Sequence, residues 1–302
     1  MRVFVSYSHA QGEWVWNRLV PCLRAGGTEV LIDRERFEAG GAVVRQMDAV
    51  QDTAAKHVLV LSSEYLNSAN CRHEMDRAIA ADPGFARHIV VPVRRDDAAL
   101  PASIKTPDPL YVDLRDDGKA DQWALLLNGC GADLGTTAPH WLAARDAVAA
   151  ALARHKSINL VVTGGAAWRG LINEVSSQPG LAIGLVDLEH PATIPRRGLV
   201  AAILGAGGKH ELPVPRAPDD LNELQRVLAA RGRSLVALVH FDAVRDRPTY
   251  KADLFLALRY LVMETRTLVL LIQSRAPFTT LLPHGHPLSE ILMELIELKS
   301  HP

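Results

Sequence analysis

The fold of this chain is decided by the stretch HVLVLSSEYLNSANCRHE, residues 57–74. It begins with an apolar run, residues 57–61, of the kind that forms a buried parallel strand. A helix is predicted to begin near Cys71, so Glu74 lies in the first helical turns beyond the carboxyl end of that strand. Because open α/β sheets bind their ligands at this edge, Glu74 is a candidate functional residue.

A structural role for Glu74 is the alternative. A carboxylate near the amino end of a helix is favoured by the helix dipole, which contributes only about a few tenths of a kcal/mol at an exposed position. Judged by spacing alone, this is the more common role for such a residue. A functional assignment for Glu74 therefore needs support from other parts of the sequence.

Composition limits the classes of protein to consider. The chain has 302 residues, of which 48% are hydrophobic and 22% charged, so it is long enough for two domains that each bury a core. The 33 basic and 34 acidic side chains give a formal net charge of -1. This balance gives no global attraction to nucleic acid or to an anionic membrane, and nucleic-acid binding is unsupported.

Targeting signals and cysteine spacing give the expected compartment. The chain enters a strand at its first residues, without the apolar region or cleavage site of a signal peptide. No uninterrupted apolar run reaches the roughly 18 residues of a membrane span. Cys22, Cys71 and Cys130 are odd in number and widely spaced, which predicts neither a disulfide framework nor a metal site. We therefore expect a soluble protein of the cytoplasm, with no membrane partner.

The amino-terminal half alternates between strand patterns and helix patterns. Strands are predicted over residues 2–7, 29–32, 57–61 and 88–93, and helices over residues 13–23, 42–50 and 71–80. Such alternation predicts βαβ units on a parallel sheet with right-handed crossovers.

Several motifs of this half, in this order, resemble the Toll/interleukin-1 receptor (TIR) domain. They are the first strand at residues 4–8, the second at 30–33, the BB loop at 38–41, the third strand and its exit at 58–68, the spacing of Cys71 and Glu74, and the next core strand at 90–93. The resemblance covers roughly residues 1–130, and each motif is weak without the others. It implies a flavodoxin-like sheet of about five parallel strands.

The resemblance also implies a chemistry. Many bacterial and plant TIR domains are NAD+ glycohydrolases, and Glu74 matches their catalytic glutamate. NAD+ is then a substrate, and no cofactor or metal is required. The residues expected to contact NAD+ share the neighbourhood of the same sheet edge: Ser8, His9, Gly40, Gly41 and Cys71. For Ser8 and His9, capping of the following turn is the more frequent role of such residues.

The resemblance also implies how the activity is switched on, and it leaves one alternative function open for this half. In the family, active sites form between neighbouring TIR domains, so self-association is expected to switch activity on, and a bacterial member would deplete NAD+ in an anti-phage response. A non-catalytic scaffold for TIR–TIR signalling is the alternative. Asn70 and Ala42 favour the scaffold, because some active members carry aromatic residues at these places.

The carboxy-terminal half is predicted to be a second α/β domain. Residues 128–139 are rich in small residues and mark the boundary, which gives a TIR domain over 1–130, a linker and connecting helix over 131–156, and a domain over 157–302. Strands are predicted over 158–162, 182–188, 234–242 and 267–275, and helices over 221–230, 251–263 and 287–298.

The strand order of this half resembles a P-loop NTPase domain of the signal-transducing kind. The loop at residues 163–171 lacks the lysine and the hydroxyl that a working phosphate-binding loop needs. We therefore expect a degenerate domain that binds a regulatory protein or ligand, or that drives assembly, without NTPase activity. A nucleotide sensor or NTPase is the remaining alternative, and Asp242 and Arg275 are more common as structural residues.

Overall fold

The computed structural model describes residues 1–32, 43–106, 108–206 and 221–299, with residues 43–47 described as backbone only. The chain divides into two compact units, Met1–Leu142 and Ala143–Pro302. The division falls within the helix Ala138–Ala153. The predicted limits of the domains and of the linker stay predictions.

The amino-terminal unit is built on a parallel five-stranded sheet. Its strands are β1 Arg2–Tyr7, β2 Glu29–Leu31, β3 Lys56–Leu61, β4 Val90–Arg94 and β5 Val112–Asp113. They lie in the order β2-β1-β3-β4-β5, and all pairs are parallel. This is the flavodoxin-like order, in which β2 is added on one side of β1 and the later strands, from β3 onward, are added on the other side. The predicted flavodoxin-like fold is thus confirmed.

Helices connect the strands of this unit. They are α1 Gly12–Trp14, continued through a π-helical turn Val15–Leu19 into α2 Val20–Ala25, then α3 Val43–Asp52, α4 Ser63–Asn67, α5 Ala69–Ala81 and α6 Ala102–Lys105. After β5 come α7 Ala120–Gly129 and then α8 Ala138–Ala153, the helix in which the division between the two units falls. The π-helical turn precedes Pro21, which has no amide hydrogen for the regular helical bond. The helix α5 buries Cys71, Glu74, Met75 and Ala78, a spacing that keeps these residues on one face.

Asp82 ties the end of α5 to the start of β4. Its side chain is fully buried, and its carboxylate accepts hydrogen bonds from the amides of Arg87 at 2.8 Å, Ile89 at 2.9 Å and Val90 at 3.4 Å. Burial raises the pKa of Asp82, but these amides and the Arg87 charge outweigh it, so the pKa lies below its ordinary value. The ionised carboxylate therefore stabilises the fold.

We expect Asp82→Ala to lower the free energy of unfolding by about 2 kcal/mol, because buried amides lose their acceptor. Since the folded-state pKa of Asp82 is depressed, its contribution is fully present above the unfolded-state pKa and is lost as the pH falls through the folded value. Urea unfolding at several pH values, with the exposed Asp76→Ala as control, measures this. A gap between wild type and Asp82→Ala that widens on acidification would contradict the assignment.

The carboxy-terminal unit has its own parallel five-stranded sheet. Its strands are β6 Ile158–Thr163, β7 Ile183–Asp187, β8 Ser234–Val239, β9 Leu268–Ser274 and β10 Glu294–Lys299, in the order β10-β6-β9-β8-β7. Its other helices are α9 Trp168–Ser176, α10 Arg196–Ala206, α11 Leu221–Arg231, α12 Ala252–Met263 and α13 Phe278–Leu281. Short 3₁₀ turns include Pro191–Thr193, Phe241–Asp246 and Pro287–Glu290. The prediction of a second α/β fold is confirmed.

The prediction of a helix over residues 287–298 is wrong. A 3₁₀ turn is followed there by the strand β10, which pairs with β6 over six positions. The apolar residues fit helical spacing, but Ile296 and Leu298 also fit the period of two of a strand, and pairing with β6 selects the strand. Accordingly Ile296 and Leu298 are buried, whereas Leu295 is 53% exposed.

Membrane-spanning character is absent from the helices that the structure describes. None of them combines the length and apolarity needed to cross a bilayer.

Candidate active site

Glu74 lies at the carboxyl edge of the amino-terminal sheet, against β1. It is the sixth residue of α5, which Ser68 caps by accepting a hydrogen bond from the amide of Cys71 at 3.3 Å. Its position on the buried face of α5 leaves only 6% of the residue exposed. Glu74 is therefore not the exposed first-turn carboxylate that the helix-dipole alternative supposes.

A chain of hydrogen bonds connects Glu74 to two other buried side chains. The Ser6 hydroxyl, in β1, donates to Oε2 of Glu74, and the Ser6 oxygen lies 2.8 Å from the phenol oxygen of Tyr65 in α4. A serine hydroxyl has one proton, which here goes to the carboxylate, so the Tyr65 phenol donates to Ser6. Protons therefore point one way along this relay, from Tyr65 through Ser6 to Glu74.

The electrostatic environment keeps the Tyr65 phenol protonated. Tyr65 is fully buried, and burial raises its pKa well above the ordinary value. The charges of Glu74, Cys71 and Asp76 act in the same direction, against the lowering effect of the Ser6 hydrogen bond. The phenol is therefore protonated at physiological pH and can donate a hydrogen bond.

Two serine caps place Tyr65 and Glu74 on their helices. Ser62 accepts a hydrogen bond from the amide of Tyr65 at 3.2 Å and begins α4, and Ser68 begins α5. The Ser62 hydroxyl also donates to the carboxylate of Glu64 at 2.8 Å. These caps account for the serine-rich exit from β3, since each supplies an acceptor to helix amides that have no partner within the helix.

The backbone of Glu74 is held by α3. The side-chain amide of Gln51, which is 1% exposed, donates to the carbonyl of Glu74 at 3.0 Å. Nearer the surface, Arg77 pairs with Asp52 at 2.7 Å, and His73 lies 3.1 Å from Asp48. These contacts between α3 and α5 fix the position of Glu74 along the edge of the sheet.

The other predicted site residues differ in burial and in hydrogen-bond partners, and some lie outside the described residues. Cys71 is buried, and its thiol donates to the carbonyl of Tyr7 at 3.6 Å, so it joins α5 to the end of β1. Ser8 caps the 3₁₀ turn His9–Gln11 by accepting from the amide of Ala10 at 3.4 Å, and His9 is exposed. Gly40, Gly41 and Ala42 lie outside the described residues. Contact of any of these residues with NAD+ stays a prediction.

Sequence reasoning missed Ser6 and Tyr65. Ser6 is 1% exposed, and it pairs in register with Leu59 of β3. The available signal was the serine hydroxyl inside the apolar strand at residues 3–7, because a buried hydroxyl needs a hydrogen-bond partner. Its partner could not be read from the sequence, since Glu74 is 68 residues away.

No metal centre is apparent in the part of the chain that the structure describes. It contains no group of three or more His, Cys, Asp or Glu side chains placed to hold an ion.

In the carboxy-terminal unit, polar residues at the carboxyl edge of β7 and β8 pair with one another. Nδ1 of His240 lies 2.8 Å from Asp187, whose other oxygen accepts from Arg169 at 3.2 Å. Asp242 accepts a hydrogen bond from the amide of Arg275 at 3.0 Å. These contacts are structural links between loops at this edge, and the predicted absence of NTPase activity stays a prediction.

Residues 3–127, which include Glu74 and nearly all of the sheet of order β2-β1-β3-β4-β5, match the protein family described as TIR domain. The match covers less than half of the chain.

Individual relatives are of two kinds. Toll-like receptor 1 of Homo sapiens is 29% identical over 72 residues, which are 24% of this chain and only 9% of the receptor. The solved TIR domain of the Toll-related receptor TRR-2 from Hydra magnipapillata is 18% identical and covers 42% of this chain and 96% of its own, with a TM-score of 0.38. The Walker-type ATPase paby2304 of Pyrococcus abyssi is 16% identical and covers 52% of each chain, also with a TM-score of 0.38.

Proposed function

We propose that the amino-terminal unit is an NAD+ glycohydrolase in which Glu74 is the catalytic carboxylate, releasing nicotinamide and ADP-ribose or a cyclic form of it. The observation that carries the proposal is the placement of Glu74. A buried carboxylate, held by Ser6 at the carboxyl edge between β1 and β3, occupies the point where sheets of this order bind ligands.

The chemistry suits a single carboxylate. Cleavage of the bond between nicotinamide and ribose develops positive charge on the sugar, which a nearby anion stabilises. Nicotinamide leaves as a neutral ring, so no acid is needed to protonate it. One carboxylate can therefore suffice, in contrast to the acid pair of ordinary glycosidases.

Assembly is proposed as the switch for this activity. Because only 6% of Glu74 is exposed, access of NAD+ requires rearrangement of neighbouring segments. Self-association of TIR domains, or a partner bound to the carboxy-terminal unit, would favour the open arrangement by binding it more tightly. The setting that we propose is the cytoplasm of a bacterium, where NAD+ depletion serves defence against phage.

A non-catalytic TIR scaffold is the second candidate. The enclosure of Glu74 favours it, because the hydrogen bonds from Ser6 and Gln51 also give this residue a structural role. The similarity of 72 residues to Toll-like receptor 1, which is named as a receptor and not as an enzyme, fits the same proposal. In that case the TIR unit makes only protein–protein contacts, and Glu74 stabilises its core.

Nicotinamide release separates the two candidates. Purified full-length protein is incubated with NAD+ over a range of protein concentrations and with a crowding agent, beside Glu74→Ala. We expect release by the wild type to rise more steeply than protein concentration, because assembly precedes cleavage, and to be absent from the variant. If the wild type releases no nicotinamide at high concentration under crowding, the scaffold is the better assignment.

A further inference from the structure

We propose that Ser6 and Tyr65 are positioning residues for Glu74, which act in series to hold its carboxylate ionised and correctly oriented. This inference rests on the proposed function. Ser6 touches the carboxylate directly, whereas Tyr65 reaches it only through the Ser6 hydroxyl. Neither residue is expected to contact NAD+, since Ser6 is 1% exposed and Tyr65 is fully buried.

The relay is built on an inner strand of the sheet and on the cluster that packs against it. Ser6 lies in β1 with strands on both sides, β2 and β3, and the bonds to β3 extend from Val3 to Tyr7. Tyr65 packs in a cluster with Leu59 and Leu61 of β3 and with Cys71, Met75 and Ala78 of α5. Because both residues are fixed by the sheet, the oxygen of Glu74 that Ser6 binds is fixed as well. A catalytic group held in this manner requires no reorganisation when the substrate charge develops.

The direction of the protons gives the relay its function. The Glu74 carboxylate can only accept hydrogen bonds, so the Ser6 hydroxyl donates its proton to the hydrogen bond with Glu74. The Ser6 oxygen in turn accepts a hydrogen bond from the Tyr65 phenol. Each hydrogen bond polarises the next and strengthens it. A carboxylate that receives such a bond is favoured in its charged form, which is the form that stabilises a cationic sugar.

Other titratable groups surround this relay on the neighbouring elements. They are Cys71 and Asp76 on α5, which affect Tyr65 together with Glu74, and the more exposed pair His73 and Asp48 between α5 and α3. None of these four is bonded to Ser6 in the contacts of the described residues. Removal of the Ser6 hydroxyl therefore tests the relay without altering a charge.

Three variants of the full-length protein test the inference: Ser6→Ala, Tyr65→Phe and the double variant. For Ser6→Ala we expect kcat for NAD+ cleavage to fall about 10- to 100-fold with KM nearly unchanged. The acidic limb of the kcat/KM profile should move up by about one pH unit, because the carboxylate loses a donor and takes up a proton more readily. Tyr65→Phe should have the same effects at smaller size, and the double variant should match Ser6→Ala, since Tyr65 acts only through Ser6.

A control variant and a second measurement complete the test. Thr28→Val removes another buried hydroxyl, which donates to the carbonyl of Leu23 at 2.8 Å, and should leave both kcat and the pH profile unchanged. Additive effects of Ser6→Ala and Tyr65→Phe, or an unmoved pH profile, would overturn the relay.

Titration of the ¹³C-labelled Glu74 carboxyl by NMR gives an answer that does not depend on cleavage: its midpoint should rise in Ser6→Ala. An inactive wild type with a shifted midpoint refutes the proposed function alone, and an unshifted midpoint refutes the relay.

Discussion

Glu74→Gln is expected to lower the rate of NAD+ cleavage by at least about 100-fold, which is the size of effect seen when one group that stabilises transition-state charge is removed. Glutamine has the shape of glutamate and can still accept the hydrogen bond from Ser6. It lacks the negative charge that stabilises the sugar cation. The variant should therefore fold, and its thermal unfolding should stay close to that of the wild type. Initial rates of nicotinamide release, measured with unfolding curves on the same samples, give both quantities.

Glu64→Gln is the matched control for this experiment. Glu64 also follows β3, but it is exposed on α4, and among the described contacts its side chain bonds only to the Ser62 hydroxyl. The same chemical change there should leave cleavage within about twofold of the wild type, because exposed surface substitutions have small effects. Equal losses in the two variants, or retained cleavage in Glu74→Gln, would remove Glu74 from the catalytic role.

The second large effect is expected in the carboxy-terminal unit, where Gly198→Ala should lower the free energy of unfolding by about 3 kcal/mol or more. A Cβ atom at Gly198 in α10 would lie 1.7 Å from the carbonyl oxygen of Ala192. That carbonyl belongs to the 3₁₀ turn Pro191–Thr193, which is held by hydrogen bonds from the Thr193 hydroxyl to Asp187 and from the Tyr250 phenol to Thr193. Because these hydrogen bonds hold the backbone of the turn in place, α10 would have to shift to accommodate the new Cβ atom.

A second glycine of the same helix supplies the control. Gly205 has open space where a Cβ would be added, so Gly205→Ala should stabilise the unit by about 0.5–1 kcal/mol through helix propensity. Urea unfolding of the full-length variants, followed by far-UV circular dichroism, measures both changes. Gly198→Ala with a stability equal to that of the wild type would show that α10 does not pack as closely on this turn as described.

The sequence predicted eight of the ten strands that the structure describes, because buried parallel strands are almost continuously apolar, and it missed the two-residue strand β5 and the strand β10. The limits of β1 were predicted without error, and those of β3 within one residue. The strand β10 was mistaken for a helix, since its apolar residues fit both periods, and only pairing with β6 decides between them. Whether such a segment forms a helix or a strand depends on tertiary contacts, which a short stretch of sequence does not contain.

The candidate site was predictable only in part. Glu74 was singled out from its position after a strand, which is a local signal, and Cys71 came from the resemblance to TIR domains; their roles stay predictions. Ser6 and Tyr65 were not, since their importance arises from contacts between β1, α4 and α5. A polar residue in a strand that is predicted to be buried indicates that a hydrogen-bond partner exists, but only the fold shows which residue that partner is.

The paired caps Ser62 and Ser68 have a consequence for how this segment tolerates change in length. Each cap sets the rotational phase of its own helix, so the number of residues from Ser62 to Tyr65 and from Ser68 to Glu74 determines which way these two side chains face. One residue added or removed between Ser68 and Glu74 would turn the glutamate about 100° around the helix axis, away from Ser6. Substitutions on the exposed side of this segment leave that phase intact, whereas insertions and deletions do not. Length, rather than composition, is therefore the stricter constraint on variation in this part of the chain.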